Sequence, residues 1–544
     1  MRHLLLLLLA TPLAAQQQPR SYSRIDTLRG AWDTPGRNWW DVTYYDLDLR
    51  LSPGDSSIAG SNTISYVVRG EGEFLQIDLM PPLVLDSVVQ DGRRLAIRSD
   101  SNAHFATIAG RQRTGSVHSV TAYYHGRPRI APRPPWDGGF TWRSDSLGRP
   151  WIVTTDQGVG ASIWWPNKDS QADEPDSQRV AIRVPDPLMH VGSGHLRSKT
   201  RHADSTTTWE WFVASPINNY AIAVAVGQYG HWSEVYPGEA GQLTMDYYPL
   251  DYHLAVARRQ FLQARTTMQC FEHWFGPYPF YADGYKLIEV PNNGMEHQSA
   301  VTYGNRFANG YQGRDGSGTG LGMLWDFIIV HETAHEWWGN NLTTRDLADM
   351  WVHESFANYA EGLYTECLYG KDAGARYIIG TRRGIGNREP IVPPQRGVNA
   401  QGSGDMYPKG GNMLHTIRQI VNDDAKWRSI LRGLQQEFRH QIIDGVDVQL
   451  YISARAGSDL STLFAQYLTA TAIPVFEYRI EGPALHYRWA DVIDGFAMPV
   501  DVIVAEGRQA RLDATTEWRT APLTDPAAFA VDPDWYVTVR AVEP

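Results

Sequence analysis

The sequence predicts a multidomain α+β fold: an N-terminal β-sandwich-like domain, a mixed central domain and a small C-terminal β-sandwich. Three observations predict it. Residues 41 to about 230 carry short apolar–polar alternations of period two, the mark of half-buried strands. After about residue 250 the apolar period lengthens to three or four, the mark of helices. From about Ile473 the short alternations return, as in a small sandwich. The 544 residues are enough for two to four domains. The expected units are 41–231, 232–472 and 473–544, after a leader at 1–15 and a linker at 16–40.

The elements follow in order. Val42 to Leu51 alternates apolar and polar residues and predicts a strand. Ile64 to Val68 and Val120 to Tyr124 predict further strands between Gly, Asp and Ser clusters. Arg127 to Pro135 is proline-rich and predicts an extended loop. Ala221 to Gly227 predicts a last buried strand. Tyr252 to Phe275 carries helical periodicity that stops at Gly276-Pro277. Tyr285 to Val290 predicts a strand. Helical patterns recur at 321–338, 354–369, 409–421, 426–440 and 460–470. Strands are predicted again at 475–480, 485–489, 500–504, 528–531 and 535–539.

Composition narrows the function classes. Hydrophobic residues at 42% and charged residues at 20% are ordinary for a soluble globular protein. The 20 Trp and 27 Tyr suggest large aromatic cores and clefts. A net charge of −11, with no long basic run, disfavours nucleic-acid binding. A charged start, the run Leu4 to Leu9 and the small residues to Ala15 read as a secretory signal peptide. That run is too short to span a bilayer, and no other segment approaches 18 apolar residues. The mature protein is therefore expected to be exported, periplasmic or extracellular, without a membrane span. Export permits a disulfide between Cys270 and Cys367, but two cysteines make no disulfide framework, and two buried free thiols on helices are the preferred reading.

The most informative motif is His331-Glu332-Thr333-Ala334-His335, with Glu354 beyond it. Histidines four residues apart lie one turn apart on a helix face, so both can reach one metal ion. Leu324, Phe327, Ile328, His331, His335 and Trp338 continue a single inward stripe. Glu332 points away from the metal but within reach of a bound water. Glu354 can come from the next helix. Two His and one Glu with an open fourth position form the ligand set of a catalytic zinc. A metzincin is excluded, because Asn341 and Trp338 stand where its third His and its Gly would be.

Asn293-Gly294-Met295-Glu296-His297 follows the strand predicted at 285–290. At these residues the chain resembles the gluzincin aminopeptidases, the family of aminopeptidase N and leukotriene A hydrolase. The family's exopeptidase motif, Gly-x-Met-Glu-Asn, is matched at Met295 and Glu296, with Asn293 and His297 in place of its first and last residues. Asn293 is expected to tolerate the unusual backbone angles of that first position. His335 to Asn340 and Trp351 to Ala357 resemble the family's two zinc helices. Tyr407-Pro408-Lys409-Gly410 resembles the segment bearing its catalytic tyrosine. Pro166 to Asp169 with Asp173 to Pro175 resembles a cleft-facing segment of its N-terminal domain, and Gln157 stands where a substrate-contacting Gln would lie. The resemblance implies a thermolysin-like catalytic domain over 232–472. It further implies substrate contacts from Glu296, Gln157, Gly294, Met295 and His297. The family's large helical C-terminal domain has no counterpart in the residues that remain.

The expected chemistry is hydrolysis. One Zn²⁺ per chain on His331, His335 and Glu354 lowers the pKa of its water to roughly 7. Glu332 acts as general base, and Tyr407 donates to the developing oxyanion. Asp349 is a candidate partner for the second ring nitrogen of a ligand histidine. A peptide α-amine, with a pKa near 8, is mostly charged at neutral pH. Glu296, with Gln157, would capture that ammonium and present only the first peptide bond. The expectation is a secreted zinc aminopeptidase acting on peptides with a free N-terminus. The alternatives are a zinc endopeptidase or epoxide hydrolase, and an inactive binding module. Glu296 argues against an endopeptidase; Glu332 and the complete ligand set argue against an inactive module.

Overall fold

The computed structural model describes residues 21–543. The expected signal peptide lies outside the described residues. Two apolar cores organise the chain. The N-terminal core is built by β-sheets. The largest has eight strands in the spatial order 195–201, 206–213, 177–185, 40–52, 57–68, 117–126, 84–90 and 93–94. The long strand Trp40–Ser52 shows how sequence sets a face. Tyr45, Leu47, Leu49 and Leu51 point into the core on alternate positions. A bulge between Val42 and Tyr44 shifts the phase, so Trp40 and Val42 are buried as well. A four-stranded sheet, including Gly139–Ser144 and Pro150–Thr155, and a three-stranded sheet complete this half.

The stretch expected to be a linker holds a helix. α1 (Arg24–Gly30) begins with a capping box, in which Ser23 and Asp26 satisfy each other's backbone N–H groups. Its buried Arg29 pairs with Asp169 at 3.0 Å. The buried strand expected at 221–227 is shorter than the apolar run suggests. Asn218 caps a 3₁₀ turn at Asn219–Ala221, and only Ala225–Gly227 is strand.

The second core joins a five-stranded sheet to helices. In spatial order the strands are 232–238, 241–248, 285–289, 301–303 and 294–295. The helices are α2 (Leu254–Gln260), α3 (Leu262–Phe275), α4 (Phe327–Ala334), α5 (Trp351–Tyr369), α6 (Lys371–Thr381), α7 (Pro408–Val421), α8 (Asp424–Glu437), α9 (Gly445–Ala456) and α10 (Ser461–Thr469). α5 is the centre, packed against α3, α4, α6 and α7, and is buried from Trp351 to Thr365. α4 is much shorter than the periodicity at 321–338 predicts. Asp326 fixes its start by accepting from Ile328 N and Ile329 N, and Gly339 turns the chain at φ +122°. Two small sheets follow. Each buries alternate residues, and Phe476, Trp489 and Phe496 meet edge-on between ring centroids 5.4 and 5.8 Å apart. Together these elements form a multidomain α+β chain.

The free-thiol reading of the cysteines is corrected. Cys270 on α3 and Cys367 on α5 form a disulfide, with Cα atoms 6.1 Å apart. Packing of α3 on α5 brings together residues 97 positions apart, which local spacing does not reveal. Replacing both cysteines by serine should therefore lower stability by about 2–4 kcal/mol. Calorimetric unfolding checks this; an unchanged melting temperature would show that the crosslink carries no stability.

Candidate metal centre and substrate cleft

α4 and α5 place three donor atoms around one point. His331 Nε2 and His335 Nε2 are 3.4 Å apart. Glu354 Oε2 lies 3.6 Å from the first and 3.4 Å from the second. Donors about 2.0–2.1 Å from one tetrahedral ion are themselves separated by about 3.4 Å. The protons are also accounted for. His335 Nδ1 donates to Trp338 O at 2.9 Å, so in the neutral ring its Nε2 is a bare lone pair. His331 Nδ1 donates to Glu361 Oε1 at 2.8 Å, which leaves its Nε2 bare as well. Glu354 Oε2 is buried without a donor. With both rings neutral, three lone pairs converge at a spacing that fits a divalent cation, and two His with one Glu fit zinc.

Glu361 was not singled out from sequence, yet it orients a candidate ligand. Tyr377 OH on α6 donates to it at 2.6 Å, and Asn358 donates at 3.3 Å. Its spacing of seven from Glu354, two turns along the same face of α5, was the available signal. Asp349 does not fill this role. It accepts from Arg396 at 2.7 Å and from Gly445 N at 3.0 Å.

The donors open onto a cavity of about 320 Å³, also lined by Gln157, Gly294, Met295, Glu296, Glu332 and Tyr407. Glu296, Glu332 and His335 have ligating atoms within 4.8 Å of one another. Burial pushes the Glu296 carboxyl up to about 7, with His335 opposing and Glu332 and Glu354 adding to the rise. Burial likewise raises Glu332, against the pull of the two imidazoles. Burial opposes ionisation of Glu354 too, but His335 and His331 hold that carboxylate well below its usual range. Glu296 Oε1 is buried and has no partner among the described residues.

Local structure explains these positions. Gly294 has φ +124°, and a Cβ there would lie 2.5 Å from Thr302 O. The unusual backbone angle thus falls on Gly294 and not on Asn293, whose side chain donates to Tyr311 OH at 2.6 Å. Tyr407 ends a 3₁₀ turn and begins α7, with its ring 6.0 Å from that of His331. Ser355 of α5 donates to Met406 O at 2.7 Å and fixes this turn. Gln157 Nε2 donates to Glu354 Oε1 at 3.1 Å. Its loop is tied to α1, since Arg29 also donates to Gly158 O.

His297 is fully buried outside the cavity lining, where burial pushes it down to about 3. His353 is structural and accepts from Thr344 N. Pro166 to Asp173 lie outside the cavity lining; Asn62 donates to Pro166 O, and Lys168 pairs with Asp173 in a buried contact.

Fold and donor set together agree with the resemblance read from the motifs: a β-rich N-terminal half, a mixed half, and a two-histidine, one-glutamate centre. Residues 260–467 match the Peptidase family M1 domain. Over 237 residues the chain is 25% identical to Probable aminopeptidase 1 of Sulfurisphaera tokodaii, covering 41% of this chain and 30% of that protein. Over 303 residues it is 25% identical to aminopeptidase N of Streptomyces lividans, covering 51% and 34%. The chain thus spans about a third of the length of these curated relatives. The crystal structure of an M1 zinc metallopeptidase from Deinococcus radiodurans has the same fold, with a TM-score of 0.69 at 20% identity over 82% of this chain and 98% of that one. A related structure of that protein is bound to a Tyr-Ser-Ala substrate. These findings support the gluzincin aminopeptidase family, as the motifs suggested.

Glu361→Ala should weaken zinc binding by about 10–100-fold, the scale of losing the partner that orients a ligand imidazole. Competition with a chelator measures this; unchanged affinity would show that His331 needs no such partner.

Proposed function

We propose that the chain is an exported zinc aminopeptidase that removes the first residue of peptides, with one zinc per chain. The observation that carries this reading is Glu296. Its carboxyl is buried beside Glu332 and His335, and its Oε1 has no partner among the described residues. A peptide ammonium is the donor this acid lacks, and it would fix the chain end a set distance from His331, His335 and Glu354.

Zinc bound at those three residues supplies a Lewis acid for the water and the scissile carbonyl. Glu332 takes the proton of the attacking water and passes it to the leaving amine. Its burial-raised pKa suits a group that must both accept and release a proton. Tyr407 donates to the carbonyl oxygen as charge develops there. Gln157 holds the second oxygen of Glu354 and faces the same cavity as Glu296. Gly294 and Met295 form the neighbouring wall.

Export is supported by the leader-like start and by the Cys270–Cys367 disulfide, a bond that persists in oxidising compartments. Among the described residues no helix is long and apolar enough to cross a membrane.

Glu332→Gln should keep one zinc per chain by elemental analysis and lose at least about a hundredfold in turnover. Tyr407→Phe should keep zinc and lose roughly 10²–10³. Near-normal turnover in either variant would remove the role given to that residue.

N-acetylated peptides should be poor substrates, and Glu296→Ala should weaken use of free-amine peptides by about 2–5 kcal/mol while keeping zinc. Internal cleavage of acetylated peptides at the free-peptide rate would make the enzyme an endopeptidase instead.

A further inference from the structure

The loop between the strands Val117–Gly126 and Gly139–Ser144 enters the catalytic cavity from the N-terminal half. Pro135 and Trp136 line that cavity with the histidines and Glu332. Trp136 is 64% exposed. A lone exposed tryptophan means little; its placement is what argues here.

The loop is braced at every turn. Arg133 forms a two-bond pair with Asp137 at 2.8 and 3.1 Å, and Arg129 donates to Asp137 O at 2.9 Å. Trp136 N donates to Arg133 O, while Ala131 N and Phe140 N bond across the loop base to Phe140 O and Arg129 O. Gly139 allows the crossing: at φ +133°, a Cβ would stand 2.7 Å from Ala131 N and Arg129 O. Four prolines, at 128, 132, 134 and 135, stiffen the segment. The backbone that carries the indole is therefore set at little ordering cost on binding.

The rest of the cavity lining on the mixed domain includes Met295, Tyr311, Phe327 and Ile328. Tyr311 and Phe327 meet edge-on at 5.2 Å, and Phe327 stacks on the His331 ring at 5.0 Å. Among the described residues no Lys or Arg lines the cavity, so an acidic side chain finds no basic side chain there.

We propose that Trp136 is a specificity-determining residue, which covers a large apolar or aromatic first side chain of the substrate from the N-terminal half. This rests on the aminopeptidase reading above. The wild-type enzyme should prefer Phe and Leu over Ala and Glu among aminoacyl-fluorophore substrates. Trp136→Ala should keep its zinc. It should lose at least about fivefold in kcat/KM for Phe and Leu, mainly through KM, with a smaller loss for Ala. Trp136→Phe should recover most of that loss. Equal losses for all substrates, or none, would overturn the proposal. A binding measurement separates it from the enzymatic reading. Calorimetry of Glu332→Gln should show tighter binding of Phe-Ala-Ala than of Ala-Ala-Ala, and adding Trp136→Ala should narrow the gap. Failure to hydrolyse any aminoacyl substrate would defeat the aminopeptidase reading alone, whereas equal binding of the two tripeptides would defeat this one.

Discussion

The hydrogen bond from His331 to Glu361 joins α4 to α5 at the level of the candidate metal centre. Its acceptor is anchored by Tyr377 of α6. One buried carboxylate therefore fixes three helices and the direction of an imidazole lone pair. On the other side, Ser355 of α5 sets the turn from which Tyr407 and α7 depart. A Cβ at Gly410 would strike Ser355 Oγ, so α7 can press against α5 only because that position carries no side chain. α5 is thus the reference against which the site is measured, and its polar groups are spent on alignment. A buried acid here costs free energy unless it is paired, and Glu361 is paired on both sides.

The cavity is divided between two folding units. The three donors, Glu332, Glu296 and Tyr407 come from the mixed half. Gln157 and Trp136 come from loops of the β-rich half. The Gln157 loop is tied to α1 through Arg29, whose pairing with Asp169 and Gly158 crosses the N-terminal half. On the proposed role of Trp136, selectivity would change through substitutions on one exposed loop while the centre stays untouched. In physical terms the chemistry is rigid and the recognition is adjustable.

The centre was legible because its signals are local. Two histidines at helical spacing, a Glu between them and a Glu at the start of the next helix need no knowledge of the fold. Met295-Glu296 and Tyr407 were legible through motif, whereas the unusual backbone angle expected at Asn293 falls on Gly294. Contacts that depend on how helices and loops meet were not legible. Glu361 and the cysteine pair have partners 30 and 97 positions away. Trp136 sits in a stretch whose prolines announce a loop but not its destination. Asp349, the candidate partner for a ligand histidine, is claimed by Arg396 instead. α4 is shorter than its periodicity predicts because apolar residues continue past its caps at Asp326 and His335. The helix at 24–30 was passed over although its capping box is written in Ser23 and Asp26.

The Cys270–Cys367 bond closes a covalent ring that contains Glu296, His331, Glu332, His335, Glu354 and Glu361. If the helices come apart, these groups remain confined to one loop and cannot drift to the dimensions of a free chain. Their mutual effective concentration stays high, so reassembly of the donor set is a search within a tether, not across the whole polypeptide. Tyr407, Gln157 and Trp136 lie outside that ring. Gln157 and Trp136 thus reach the cavity from outside the tether, whereas Glu296 shares it with the candidate metal donors and keeps the same topological memory.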